Sequence, residues 1–176
     1  MEKQGESRTE PYQMKMKRRS RPVLSTEPGG AGDPYNLSRF VQAQENDYDQ
    51  AVDHFSEVIG ADGTDADAYF GRGQARRCLK EYDAAIKDFT VASLLGGADM
   101  KAAALVGRGR VYLERGEPGH AIDDFTEALA HDPDCAPAYM YRSQAFEKSG
   151  ESALASADKK RAVRLSASRG KAAVKR

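Results

Sequence analysis

Apolar residues recur at intervals of three and four positions along most of the chain, with polar residues between them. Such spacing is typical of helices that bury one face, whereas a half-buried strand would alternate at every second position. Gly63, the pair Gly96 and Gly97, and Pro133 interrupt the pattern at points where helices end. The pattern predicts eight helices, at residues 35–45, 48–60, 66–79, 82–95, 100–115, 119–131, 136–149 and 152–166.

One short pattern, an alanine followed four residues later by a phenylalanine, returns at a nearly constant distance. It occurs at Ala51 and Phe55, at Ala85 and Phe89, and at Ala121 and Phe125, in steps of 34 and 36 residues. In a helix the alanine lets two backbones approach, and the phenylalanine one turn later fills the space beside it. A period near 34 residues predicts a solenoid of stacked helical hairpins, because each hairpin needs its neighbours to bury its apolar face.

Further positions follow the same period. One copy holds Tyr69, Gly73, Ala85 and Phe89, and the next holds Leu105, Gly109, Tyr112, Ala121, Phe125, Ala128 and Pro133. In these residues the chain resembles the tetratricopeptide repeat family, whose pattern is an aromatic residue, Leu-Gly, Tyr, Ala-x-x-x-Phe and Pro. The copies lie at about 32–64, 66–98, 102–134 and 136–166, and the fourth is degenerate. The resemblance implies an all-α fold, a right-handed superhelical solenoid of antiparallel helix pairs.

Residues 33–51 carry a second, weaker resemblance, to the opening of a bacterial domain family of unknown function. That family continues with a tryptophan-rich segment, and this chain contains no tryptophan. No activity follows from this match. The opening of the first repeat copy is predicted to be either divergent or a fusion.

Charge is segregated along the chain, although basic and acidic residues balance at 27 each. Residues 1–22 carry a net charge of +4, residues 159–176 carry +8, and the stretch 23–158 between them carries −12. The N-terminal stretch is rich in Lys, Arg, Ser, Pro and Gly and has too few apolar residues to offset the entropy cost of ordering. The predicted organisation is a disordered basic N-terminal tail at 1–32, the solenoid at 33–166, and a basic C-terminal tail at 167–176.

The chain shows no pattern that supports catalysis. Gly71-Arg72-Gly73 and Gly107-Arg108-Gly109 lie within predicted helices, so repeated packing explains them better than a phosphate-binding loop does. Cys78 and Cys135 match no metal or redox spacing. The sequence therefore predicts no catalytic residue, no cofactor and no metal site. No apolar run approaches the roughly 18 residues of a membrane span, which predicts a cytoplasmic protein.

The predicted binding surface is the concave side of the solenoid, which the first helix of each pair lines in this family. Aligning the copies places nine residues there: Phe70, Gln74, Arg77, Val106, Arg110, Leu113, Met140, Tyr141 and Gln144. Arg77 and Arg110 suit the capture of a carboxylate, so we predict binding of a peptide or helix segment with an acidic group. The alternative is that both arginines pair with neighbouring Asp and Glu residues. The carboxylate clamp of some relatives is not expected, because Asn36 and Phe40 occupy its places.

The sequence as a whole predicts a non-catalytic scaffold or adaptor that binds another protein. The first alternative is a nucleic-acid-associated protein, since the basic residues of both tails could neutralise phosphates. The tails could also fold back onto the acidic body, whose paired acids such as Asp123 and Asp124 are expected to be solvated. An enzyme is the last alternative.

Overall fold

Seven consecutive α-helices build the part of the protein that the computed structural model describes, residues 45–173, with side chains described from 47 to 168. The helices are α1 (Glu45–Ala61), α2 (Ala66–Cys78), α3 (Tyr82–Leu95), α4 (Ala98–Arg115), α5 (Pro118–His131), α6 (Ala136–Lys148) and α7 (Ser152–Ala173). No strand occurs within these residues. The predicted all-α solenoid of helix pairs is confirmed.

The helices stack in chain order and form two rows. Each helix packs against the next one along the chain, within the hairpins α2–α3, α4–α5 and α6–α7 and between them. In addition, α4 contacts both α2 and α6, so these three helices form one continuous wall, which we call the inner wall. Within the described stack α1 contacts only α2, and α7 contacts only α6.

Helix boundaries differ from the predicted ones mainly at the two ends. The predicted helix 35–45 lies outside the described residues except for Glu45, which already belongs to α1. The predicted gap at residues 46–47 is wrong, because no glycine or proline stands there to stop the helix. The predicted end of the last helix at residue 166 is also wrong, since α7 continues to Ala173. Alanine, lysine and arginine dominate this extension and favour helix strongly enough to carry it through one glycine.

The turns inside the three hairpins repeat one backbone shape. Gly116 and Gly150 both have φ of 82°, the left-handed conformation that glycine adopts without strain. Lys80 occupies the equivalent place in the α2–α3 turn with φ of 62°. In all three turns the following residue donates its N–H to a carbonyl five residues earlier, over 2.8 to 2.9 Å. That hydrogen bond closes the first helix and directs the chain back along it.

Phenylalanine rings pack directly on glycines, either of their own hairpin or of the next one. A Cβ atom on Gly73 would lie 3.1 Å from the Phe89 ring, and one on Gly107 would lie 2.6 Å from it. The Phe125 ring lies over Gly109 in the same way, at 2.6 Å from a Cβ placed there. Both rings are fully buried. These rings need bare backbone beneath them, which explains why the helices accept glycines that cost each about 1 kcal/mol.

The last hairpin changes this packing and ends it. Tyr141 stands at the repeat position of Gly107, and its ring stacks on Phe125 with centroids 6.0 Å apart. Lys159 stands at the repeat position of Phe125 and is exposed. Helix α7 therefore offers no ring to a further hairpin of the same kind, as expected of a terminal repeat.

A buried arginine–aspartate pair also repeats in every hairpin. The pairs are Arg72 with Asp88, Arg108 with Asp124, and Arg142 with Asp158, each separated by 16 residues. In each pair the Nε and Nη2 atoms donate to both carboxylate oxygens, over 2.6 to 3.0 Å. The third nitrogen, Nη1, donates to a hydroxyl on the preceding helix of the chain. The acceptors are Ser56 on α1, Thr90 on α3 and Thr126 on α5. We call this set the arginine ladder, because each arginine connects three consecutive helices of the stack.

The ladder corrects one expectation. Asp124 was expected to be solvated and is instead 5% exposed, whereas its neighbour Asp123 is exposed. Adjacent residues point to different sides of a helix, and the side of Asp124 faces α4. Its hydrogen bonds raise the pKa of the Arg108 guanidinium, so the arginine stays charged.

The variant Gly107→Ala is expected to lower the free energy of unfolding by about 1–3 kcal/mol, because the new methyl group would overlap the Phe89 ring. Gly119→Ala in α5 is the matched control, since a Cβ there meets nothing within 4 Å. The control should gain stability from the helix preference of alanine. Urea unfolding followed by circular dichroism measures both variants, and equal changes in the two would contradict the packing account.

Removing one member of the arginine ladder is expected to be more costly. Asp124→Ala leaves the Arg108 charge without its partner in a poorly hydrated site, which costs about 3–5 kcal/mol of unfolding free energy. Asp134→Ala removes the exposed pair with Arg161, whose atoms are 3.1 Å apart, and should cost less than about 1 kcal/mol. Thermal and urea unfolding compare the two. A loss in Asp124→Ala no larger than in Asp134→Ala would refute a stabilising role for the ladder.

Candidate peptide-binding surface

All nine residues of the predicted binding strip belong to the helices of the inner wall, but three of them offer little surface. Gln74 is 7% exposed, Val106 is 2% exposed and Leu113 is 6% exposed. Val106 and Leu113 lie in the hydrophobic core that hairpins α4–α5 and α6–α7 share. Their role is therefore to pack α4 into the stack, and a partner could touch them only at their edges.

Apolar surface remains on both sides of α4. Met140 on α6 is 47% exposed, and Gln144 one turn later is exposed as well. On α2 the half-buried ring of Phe70 meets Phe89 edge-on, with centroids 5.7 Å apart. The inner wall thus presents an apolar group at either side and polar groups between them.

Arg77 is engaged within the inner wall. Its Nη1 atom donates to the Glu114 carboxylate of α4 over 2.6 Å, and its Nη2 atom lies 3.7 Å from the Cys78 sulfur. The pairing with a neighbouring acid, which the sequence left open for both arginines, therefore occurs at Arg77. This ion pair links α2 to α4 and neutralises one of the two charges of the strip.

Arg110 has a different environment. Its guanidinium carbon lies 4.8 Å from the centre of the Tyr141 ring, a stacking contact between α4 and α6. Within the described residues it forms no hydrogen bond and no ion pair of its own. Burial lowers the pKa of Arg110, and the nearby charge of Arg77 lowers it further. The inner wall therefore holds one partly desolvated positive charge.

Buried polar atoms of α2 lack partners within the part of the chain that the structure describes. They include the Oε1 atom of Gln74 and the Nε atom of Arg77. A buried acceptor left unpaired costs about 1–3 kcal/mol.

Two further residues of the inner wall were not predicted, Glu114 and Lys148. Lys148 donates through Nζ to the carbonyl oxygen of Leu113 over 3.0 Å, from α6 to α4. Together with Cys78, both stand at one repeat position, directly after the last position of the predicted strip. Extending the alignment of the copies by one residue would have found them.

The described residues form neither a metal-binding cluster nor a disulfide, and they include no membrane-spanning helix. No group of three or more His, Cys, Asp or Glu side chains comes together there in a way that could hold a metal ion. Neither cysteine of this region forms a disulfide. None of the described helices has both the length and the apolar character needed to cross a membrane.

Two models of the tetratricopeptide repeat family match the chain, one over residues 41–99 and the other over residues 102–135. The matches together take in more than half of the chain and include the hairpins that carry the phenylalanine–glycine packing. The chain is a tetratricopeptide repeat protein. Stacks of this kind present surfaces to other proteins, so this tetratricopeptide repeat protein is a protein-interaction scaffold. The further resemblance of residues 33–51 stays a prediction.

Solved tetratricopeptide repeat structures share the fold. A crystal structure of MamA aligns with a TM-score of 0.64 and 26% identity, over 79% of this chain and 83% of that one. The TPR domain of Arabidopsis OM64 aligns with a TM-score of 0.54 and 28% identity, over 57% of this chain and 81% of that one. The second TPR of Spaghetti (RPAP3) aligns with a TM-score of 0.54 and 22% identity, over 69% and 96%. No curated protein matches the chain.

Replacing the unpaired amide is expected to stabilise the free protein. Gln74→Met keeps a side chain of similar length and removes the buried acceptor, so the free energy of unfolding should rise by about 1 kcal/mol. Gln144→Met on the exposed part of α6 is the matched control and should change stability by less than about 0.5 kcal/mol. Urea unfolding measures both. A clear loss of stability in Gln74→Met would show that its amide already has a partner.

Proposed function

We propose that the inner wall binds a short peptide or helix segment of another protein and that Arg110 receives a carboxylate of that segment. The observation that carries this proposal is the partly buried charge of Arg110, which stacks on Tyr141 and has no acidic partner of its own among the described residues. A charge that is partly removed from water has lost part of its hydration energy, and a bound anion compensates for that loss. The role is non-catalytic.

The stacking geometry favours this form of recognition. The Arg110 guanidinium carbon lies over the Tyr141 ring, 4.8 Å from its centre, and a guanidinium that stacks on an aromatic ring keeps the N–H groups at its edge as donors. A carboxylate at that edge would accept two parallel hydrogen bonds, which contribute about 1.5–3 kcal/mol each when the donor is charged. It would also offset the repulsion between Arg110 and Arg77.

The neighbouring groups suit the rest of a peptide. Met140 and Phe70 would contact apolar side chains on either side of the carboxylate. Recognition by a few apolar contacts and one charged group is the usual mode of peptide binding in grooves.

One relative shows that a stack of this fold accommodates such a ligand. The second TPR of RPAP3 was solved with the HSP90 peptide SRMEEVD, which has three acidic side chains. The likeness to that protein concerns the fold alone. In this chain the proposed cation is Arg110. The peptide sequence that it prefers can be identified by selection from a library.

Selection from a random heptapeptide library displayed on phage tests the proposal. We expect the bound peptides to be enriched in Asp or Glu, because only a carboxylate uses the Arg110 charge. Arg110→Gln should weaken the selected peptide by about tenfold or more, as loss of a charge-assisted hydrogen bond implies. Fluorescence anisotropy with the labelled peptide measures this change.

Arg115→Gln is the matched control, since Arg115 lies on the same helix and pairs with the exposed Asp83 over 2.8 Å. It should leave peptide affinity unchanged. Selected peptides without acidic residues, or equal effects of the two variants, would contradict the proposal.

A further inference from the structure

The two terminal helices of the described stack carry opposite charges. On α1 the side chains of Asp49, Asp53 and Glu57 are exposed, and the helix contains no lysine or arginine. On α7 the exposed charged side chains are basic: Lys159, Lys160, Arg161 and Arg164. The single acidic residue of α7, Asp158, is buried against Arg142. Each end of the stack therefore presents one sign of charge.

The basic face of α7 is the face on which a further hairpin would stack. Lys160 and Val163 stand one repeat after Thr126 and Leu129. In the hairpin before, Thr126 accepts a hydrogen bond from Arg142 of the next helix, and Leu129 packs into the core shared with it. On α7 nothing within the described stack covers these positions, and Val163 is 62% exposed.

Charge decides which helix this face can accept. Another hairpin of the same design would bring a ladder arginine to the place of Lys160, where two positive charges would repel. Arg161 is already paired with Asp134, so an acidic helix would instead pair with Lys160 and Arg164 around the apolar contact at Val163. The face thus rejects its own kind of repeat and suits a helix with carboxylates on one side.

Helix α1 has that character. Asp49, Asp53 and Glu57 follow one another at intervals of four residues, so they lie on one face of the helix. All three are exposed. Within one copy α1 and α7 make no contact with each other, so the two faces can meet only between copies.

We propose that the chain associates head to tail, with the basic face of α7 in one copy docked on the acidic face of α1 in a second copy. Such a heterologous contact leaves one free end of each sign, so it can continue into longer assemblies. Because the pairing charges are exposed, salt weakens it.

Sedimentation velocity of the full chain at ~0.1 M and ~1 M salt tests the proposal, since the Debye length falls from ~10 to ~3 Å between them. We expect association that grows with protein concentration at low salt and is lost at high salt. Two variants reverse the charge of one end each. The α7-reversed variant carries Lys160→Glu with Arg164→Glu, and the α1-reversed variant carries Asp53→Lys with Glu57→Lys. Each should self-associate at least about tenfold more weakly, as like charges now meet.

Mixing the two variants gives the decisive comparison. The α1-reversed variant keeps its basic α7, and the α7-reversed variant keeps its acidic α1. These two unchanged faces can pair, so the mixture should recover association. Lys87→Glu in α3 and Asp123→Lys in α5 are exposed controls away from both ends and should behave as the natural chain does. Circular dichroism verifies that every variant folds.

Three results would overturn the proposal. One is a chain that stays monomeric at every concentration at low salt. Another is association that both end-reversed variants retain, or that their mixture does not recover. The third is association that is abolished by removal of residues 1–22 but not by charge reversal on α7. That result would mean that the acidic face of α1 binds the basic N-terminal segment and not α7.

Discussion

Contact between phenylalanine rings and bare glycine backbone holds successive hairpins of this protein together. Phe89 packs on Gly73 of its own hairpin and on Gly107 of the next one, and Phe55 and Phe125 pack on glycines in the same way. A methyl group at these glycines would occupy the space of a ring carbon. The spacing between helices α1 to α5 depends on that contact, and between α5 and α6 the stacking of Phe125 on Tyr141 takes its place.

The arginine ladder adds direction to this packing. Ring-on-glycine contact is apolar and tolerates some sliding, whereas a bidentate arginine–carboxylate pair has one favourable geometry. Each ladder arginine also donates to a hydroxyl on the preceding helix of the chain. These hydrogen bonds fix the position of each hairpin relative to the helix before it. Burial of such pairs is costly unless both partners are present, and here all three pairs are complete.

Charged side chains that have no oppositely charged partner within the described stack lie where the stack can contact other molecules. The ladder and the Arg77–Glu114 pair neutralise most arginines of the helices that line the inner wall. Arg110 is left with an aromatic ring instead of an acid, and the terminal helices are left with acids at one end and bases at the other. An interaction scaffold meets its partners through such remaining charge and exposed apolar surface, so these are the places where partners are to be sought.

The sequence by itself determined the helical period, the hairpin pairs from residue 66 onward and the membership of the inner wall, because these follow from small and large residues at one repeat distance. It did not determine which charged side chains find a partner or a buried place within the stack. Arg77 meets Glu114, 37 residues away, and Arg110 meets Tyr141. Asp124 is buried beside the exposed Asp123. Only the tertiary structure decided these points, because they depend on how helices of different hairpins cross, which a repeat period along the chain does not specify.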